Sequence, residues 1–120
     1  MRLFYIIIVS MLVAAVARAD DAAAEIEYLV TAIGSSGCAF IRNGKRHDAA
    51  DAEAHLRMKY KRGRRYATTA EEFIERLASA SLLSRKPYYM QCSADDPVPT
   101  GTWLMRRLND LRNRDISASH

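Results

Sequence analysis

His55 and Lys59 stand four residues apart, so a helix would carry an imidazole and an amine on one face. With Arg42 and Tyr88 they form a small polar site of residue types able to move a proton. General-base chemistry also needs a cleft and a partner that shifts the pKa, and neither can be read from the chain. A small hydrolase or transferase built on these four is therefore the alternative expectation, and no catalytic residue is assigned. The more prominent feature is Arg57-Met-Lys-Tyr-Lys-Arg-Gly-Arg-Arg-Tyr66, with six cations in nine positions: Arg57, Lys59, Lys61, Arg62, Arg64 and Arg65. Such a run is either a solvated helix face or a surface for phosphates and carboxylates. The candidate binding set is these six together with Arg42, Asn43 and His55.

Other constellations carry less. His47, Asp51 and His55 are spaced by four, a pattern that on one helix face can ligate a divalent metal. Asp48 reads as a helix N-cap, which leaves His47 outside the helix, so no metal and no cofactor is expected. Ser79, Ser81 and Ser84 lack the SxxK or GxSxG context of a nucleophile. Glu71, Glu72 and Glu75 are explained by the positive end of a helix dipole. Trp103 is expected at the core or its rim.

Where the chain works decides which anions are on hand. Arg2, the uncharged run Leu3–Val16 and Ala17-Arg18-Ala19 have the layout of a secretory signal peptide, residues 1–19. The run of 14 residues is short of the roughly 20 needed to span a bilayer, so the mature chain from Asp20 is expected to be periplasmic, without a transmembrane segment. In an oxidising compartment the pair Cys38 and Cys92 reads as a disulfide. Export also removes nucleic acid as the expected partner and leaves an anionic envelope component or a periplasmic protein.

Residues 20–120, 101 in number, are enough for one small domain with an ordered core over about 22–113. Their charge is lopsided. Residues 42–66 hold nine basic residues against three acidic ones. The leading expectation is thus a non-enzymatic, monomeric binding or interaction module that uses this basic face.

The elements that must position these residues follow from periodicity. Ile26, Leu29, Val30 and Ile33 make the apolar stripe of a helix over about 22–34. Cys38–His47 reads as a hairpin turning at Asn43-Gly44. Asp48 caps a helix to about Arg64, with Ala52, Leu56 and Tyr60 as its core stripe. Thr69-Ala-Glu-Glu72 has the form of a capping box. The helix it opens buries Phe73, Ile74, Leu77 and Ala78, reaching Ser81 and Leu82, and Ser84–Pro87 stops it. Tyr88–Cys92 has the residue types of a strand. Asp95–Thr100 reads as a rigid loop before a last helix over about 102–113, with a frayed polar tail after Asp115. The order α-β-β-α-α-β-α, with Tyr88–Cys92 set beside the first strand by the disulfide, predicts an α+β fold. Its sheet is short, antiparallel and three-stranded, with helices packed on it.

Several blocks recur in a known order: Cys38-x-Phe-Ile-Arg-Asn-Gly44, His55-Leu-x-x-Lys-Tyr60, Thr69-x-Glu-x-Phe-Ile74, and Lys86-Pro-Tyr88 with Cys92. The chain resembles, over about residues 25–112, a family of small exported bacterial proteins catalogued as a domain of unknown function. The resemblance implies a Gram-negative periplasmic protein with paired cysteines and implies no activity. Where that family has a glycine ahead of Pro-Tyr, this chain has Arg85-Lys86. Arg42-Asn-Gly, His55 and Lys59 are where a shared site is expected.

Overall fold

The computed structural model describes residues 19–118. The expected signal peptide therefore lies, up to Arg18, outside the described residues. Helix α1 spans Ala19–Ser35 and buries Ile26, Leu29, Val30 and Ile33. Ser36 closes it by donating through Oγ to the Ile33 carbonyl at 2.7 Å, and Gly37 takes the left-handed φ of +69°.

Strands β1 (Ala39–Arg42) and β2 (Lys45–His47) form the expected hairpin, with Arg42 opposite Lys45. Its turn needs positive φ at both central residues, and Asn43 and Gly44 supply +50° and +78°. Helix α2 (Ala49–Gly63) is capped by Asp48, whose carboxylate accepts from the Asp51 amide at 2.8 Å. Gly63 is buried where α2 meets the next helix; a Cβ there would sit 3.0 Å from Leu77 Cδ2. A 3₁₀ turn over Arg64–Tyr66 leads to helix α3, which is α-helical over Ala70–Glu72 and widens to a π-helix over Phe73–Ala78.

Thr69 caps α3 by accepting from the Glu72 amide at 3.0 Å. The Glu72 carboxylate reaches the Thr68 amide at 3.0 Å and the Thr68 hydroxyl. The helix ends well short of Leu82, contrary to expectation. The π widening breaks the 3.6-residue period, Ser79 Oγ donates to the Ile74 carbonyl at 2.5 Å, and the chain then turns back on itself. Ala80 pairs with Pro87, and Leu82, expected on the buried side of the helix, is 69% exposed.

Strand β3 (Tyr89–Gln91) lies antiparallel to β1, with Phe40 opposite Met90. This register sets Cys38 beside Cys92, and the two are joined in a disulfide. The expected loop before the last helix contains a fourth strand, β4 (Val98–Pro99), so the sheet has four antiparallel strands in the order β2-β1-β3-β4. Pro99 lacks an amide hydrogen, which is tolerated at a sheet edge. The two prolines hide this strand from a reading by propensity.

Helix α4 (Thr100–Ala118) is longer than the expected 102–113. Arg112 forks between Glu25 of α1 and Glu71 of α3, and Arg114 donates to the Tyr28 hydroxyl at 2.6 Å. These contacts fasten α4 to α1 and α3 near residues 112–114. Phe40, Tyr88, Phe73, Leu56, Leu104 and Leu108 are the centre of one hydrophobic core between the helices and the sheet. Trp103 packs at its rim beneath the Arg107 guanidinium, 4.7 Å from the ring centroid.

Candidate functional site

Three elements bring the expected polar set together. Arg42 ends β1, His55 and Lys59 lie one turn apart on α2, and Tyr88 immediately precedes β3. The α2 face that carries His55 and Lys59 looks toward the sheet because Ala52 and Leu56, on the adjoining face, are buried in the core.

Arg42 Nη1 lies 3.0 Å from His55 Nδ1, His55 Nε2 lies 3.2 Å from the Tyr88 hydroxyl, and Lys59 Nζ lies 3.1 Å from that same hydroxyl. Lys59 also donates to the Ala80 carbonyl at 3.0 Å. A guanidinium can only donate, so Nδ1 is the acceptor and the neutral ring carries its hydrogen on Nε2. That hydrogen and one from Lys59 both go to the Tyr88 oxygen, which leaves the Tyr88 O–H free to donate to a ligand. Phe40 backs the tyrosine ring at a centroid distance of 5.0 Å.

Burial and charge crowding act in the same direction here. Burial, then the neighbouring Arg42 and Lys59 charges, push His55 down to about 4. Burial, then Arg42, push Lys59 down to about 8. Burial raises the Tyr88 phenol, opposed by Arg42. At neutral pH the cluster therefore holds two cations, a neutral imidazole and a neutral phenol. Lys59 is only 8% exposed, and no described carboxylate pairs with Lys59, Arg42 or Arg62.

The cluster is the floor of a cavity of about 700 Å³ with no aspartate or glutamate among its lining residues. Its walls are apolar: Met58, Tyr66, Leu77, Leu82 and Leu83. Of the five large hydrophobic side chains that the described residues leave exposed, four (Met58, Tyr66, Leu82 and Leu83) belong to this cavity. Arg76 also lines it but is committed to Glu72 at 3.0 Å and to the Tyr66 carbonyl at 3.1 Å.

The nine candidate binding residues divide. Arg42, Asn43, His55, Lys59 and Arg62 line the cavity. Asn43 accepts from Ser84 Oγ at 2.7 Å, which ties the hairpin turn to the loop carrying the leucines. Arg57 points to α1, paired with Glu27 at 2.6 Å and with Glu53 at 2.9 Å. Arg64 and Arg65 lie over the rings of Tyr60 and Tyr66, and Lys61 is exposed outside the cavity. The six cations of the run thus do not form one face, because a helix distributes consecutive residues around its axis and Lys59 falls on the inward side.

Among the described residues no group of three His, Cys, Asp or Glu side chains comes together to hold a metal. His47 lies at the end of β2, and Asp51 donates its amide to the Asp48 cap. The apolar walls are what sequence reasoning missed. Leu82-Leu83 beside a helix stop was a usable signal, but the helical period claimed Leu82 for the core.

The profile of one protein family matches residues 20–112, which take in every element from α1 to most of α4. The chain belongs to DUF5329, a family of unknown function. The chain is also similar to the uncharacterised protein YfeK of Salmonella typhimurium, 45% identical over 49 residues. That stretch is 41% of this chain and 41% of YfeK, so the chain covers about two fifths of its curated relative's length. No solved structure matches the chain. The DUF5329 match covers both cysteines and all four residues of the cavity floor.

Proposed function

We propose that this DUF5329 protein is a non-enzymatic binding module of the periplasm whose cavity takes an amphiphilic anion. The phosphate or carboxylate head sits on Arg42, Lys59 and the Tyr88 hydroxyl, and the apolar body lies against Met58, Leu77 and Leu82. One observation carries the reading: the nearly buried Lys59 faces a cavity that also holds Arg42 and Arg62 and has no described carboxylate in its lining. Burying an unpaired charge is costly, and a ligand anion relieves that cost by the charge-assisted hydrogen bonds the floor offers. The periplasmic location rests on the signal-peptide layout and on the disulfide.

Calorimetric titration with octyl phosphate, octanoate, inorganic phosphate and octyl glucoside tests it. The two amphiphilic anions should bind, the neutral glucoside should not, and inorganic phosphate should bind weakly. Lys59→Met and Arg42→Gln should each weaken octyl phosphate by tenfold or more, since a charge-assisted bond contributes about 1.5–3 kcal/mol. Equal binding of octyl phosphate and octyl glucoside would refute the reading.

A hydrolase or transferase is the second reading, favoured by one feature. Lys59, titrating near 8, donates to Tyr88, which also contacts a neutral His55. Turnover of activated esters that Lys59→Met abolishes would establish it over the first.

A further inference from the structure

The turn beyond α3 is built to present leucine side chains to the outside. Leu83 is 99% exposed and Leu82 69% exposed, yet the turn is not slack. Ser81 N donates to the Lys86 carbonyl at 3.0 Å, and Arg85 N donates to the Ser81 carbonyl at 2.9 Å. Ser84 Oγ accepts from the Lys86 amide at 3.3 Å and bonds to Asn43. Arg85 holds a φ of +59°, a left-handed conformation that L side chains rarely adopt, to close it. Arg85 and Lys86 are both exposed immediately after the leucines, with Arg62 on the cavity wall and Arg65 against the half-exposed Tyr66.

We infer that the Leu82–Leu83 turn is a membrane-contact element that seats the cavity mouth on an anionic bilayer. The inference rests on the amphiphile reading above, because a bilayer is where an anion with an apolar body resides. The chemistry of the patch suits that surface. Leucines enter the acyl boundary, a tyrosine lies at headgroup depth, and the cations meet lipid phosphates. No carboxylate lines the cavity mouth to be repelled. The uncovered Leu83, held by hydrogen bonds, is the kind of exposed apolar group that marks an interaction site. A patch so rich in cations is matched by an anionic lipid surface.

Co-sedimentation of the mature chain from Asp20, disulfide intact, with phosphatidylcholine vesicles with and without phosphatidylglycerol tests the inference. The wild type should sediment with the anionic vesicles and be released by salt. Leu83→Ser should weaken this about tenfold, from burial of one leucine. Arg85→Gln with Lys86→Gln should weaken it about 25-fold, at about fivefold per cation, while binding of octyl phosphate in solution stays unchanged. Lys59→Met should lose octyl phosphate and still sediment. The inference is overturned if the wild type ignores both vesicles, in which case the patch faces a protein or nothing. It is equally overturned if Leu83→Ser sediments like the wild type. If octyl phosphate does not bind but sedimentation still depends on Leu83, the membrane contact stands and the cavity reading falls.

Discussion

Replacing Lys59 with methionine should make the protein more stable at neutral pH while removing its ligand. The side chain is 8% exposed on the cavity floor, and folding lowers its pKa from the ordinary 10.5 to about 8. At 1.36 kcal/mol per pKa unit, keeping the ammonium charged in the folded state at pH 7 costs about 3 kcal/mol. Methionine fills similar space without that cost. It loses the hydrogen bonds to the Tyr88 hydroxyl and the Ala80 carbonyl, at about 1 kcal/mol each. The net gain is about 1 kcal/mol.

The sign with pH is distinctive. Between 8 and 10.5 the unfolded chain holds the proton that the folded chain has released, so wild-type stability rises with pH. Lys59→Met lacks that rise, and the difference between the two proteins should move by about 2 kcal/mol between pH 7 and pH 9.5, in favour of the wild type. Urea unfolding at the two pH values, by circular dichroism, measures both quantities. Octyl phosphate should raise the wild-type midpoint and leave the variant's in place. A variant less stable at pH 7, with a gap that does not change up to pH 9.5, would show that Lys59 is a structural donor and that the floor carries no charge cost.

Three further outcomes are expected. Reduction of Cys38–Cys92, whose sequence separation is 54, should cost about 4 kcal/mol in the chain-entropy model; thermal melts with and without reductant, monitored by ellipticity, check it, and an unchanged midpoint counts against it. Arg85→Gly should stabilise the fold by up to about 1 kcal/mol, because glycine adopts φ of +59° without a Cβ clash; denaturant midpoints of the two proteins decide. His55 is held neutral with its pKa at about 4, below the ordinary 6.5, so its contribution is complete above pH 6.5 and lost as pH falls toward 4. Wild-type stability should drop between pH 6.5 and 5.5 by about 1 kcal/mol at most, about half that after solvent screening of a partly exposed ring. His55→Gln should flatten this window, and an NMR titration placing His55 near 6.5 would contradict it.

Much of the frame was legible in the chain because it is local. The stripe Ile26-Leu29-Val30-Ile33, the Asn43-Gly44 turn, the Asp48 cap and the Thr69 cap each depend on residues a few positions apart, and each is where the pattern puts it. The α3 boundary was not legible, since the π widening answers to the packing of Leu77 against Gly63 and to the Ser79 hydroxyl. Strand β4 was hidden because Pro97 and Pro99 argue locally against any strand, whereas pairing with β3 is a tertiary fact. The anchoring of α4 at Arg112 depends on Glu25 and Glu71, far away in sequence.

The sequence by itself determined the α+β class, the pairing of the two cysteines and the proximity of His55 to Lys59, because periodicity marks the elements, two cysteines in a chain expected to be exported allow one pairing, and a spacing of four sets His55 and Lys59 one helical turn apart. Only the tertiary structure decided that Lys59 turns inward while Arg57 is neutralised by α1, and that Leu82 and Leu83 are wall and rim of a cavity. Charge and hydrophobicity belong to residues and can be counted along the chain. Whether a charge is solvated, paired or stranded beside apolar surface depends on which element packs across from it, and that is set by contacts between segments 20 to 90 residues apart.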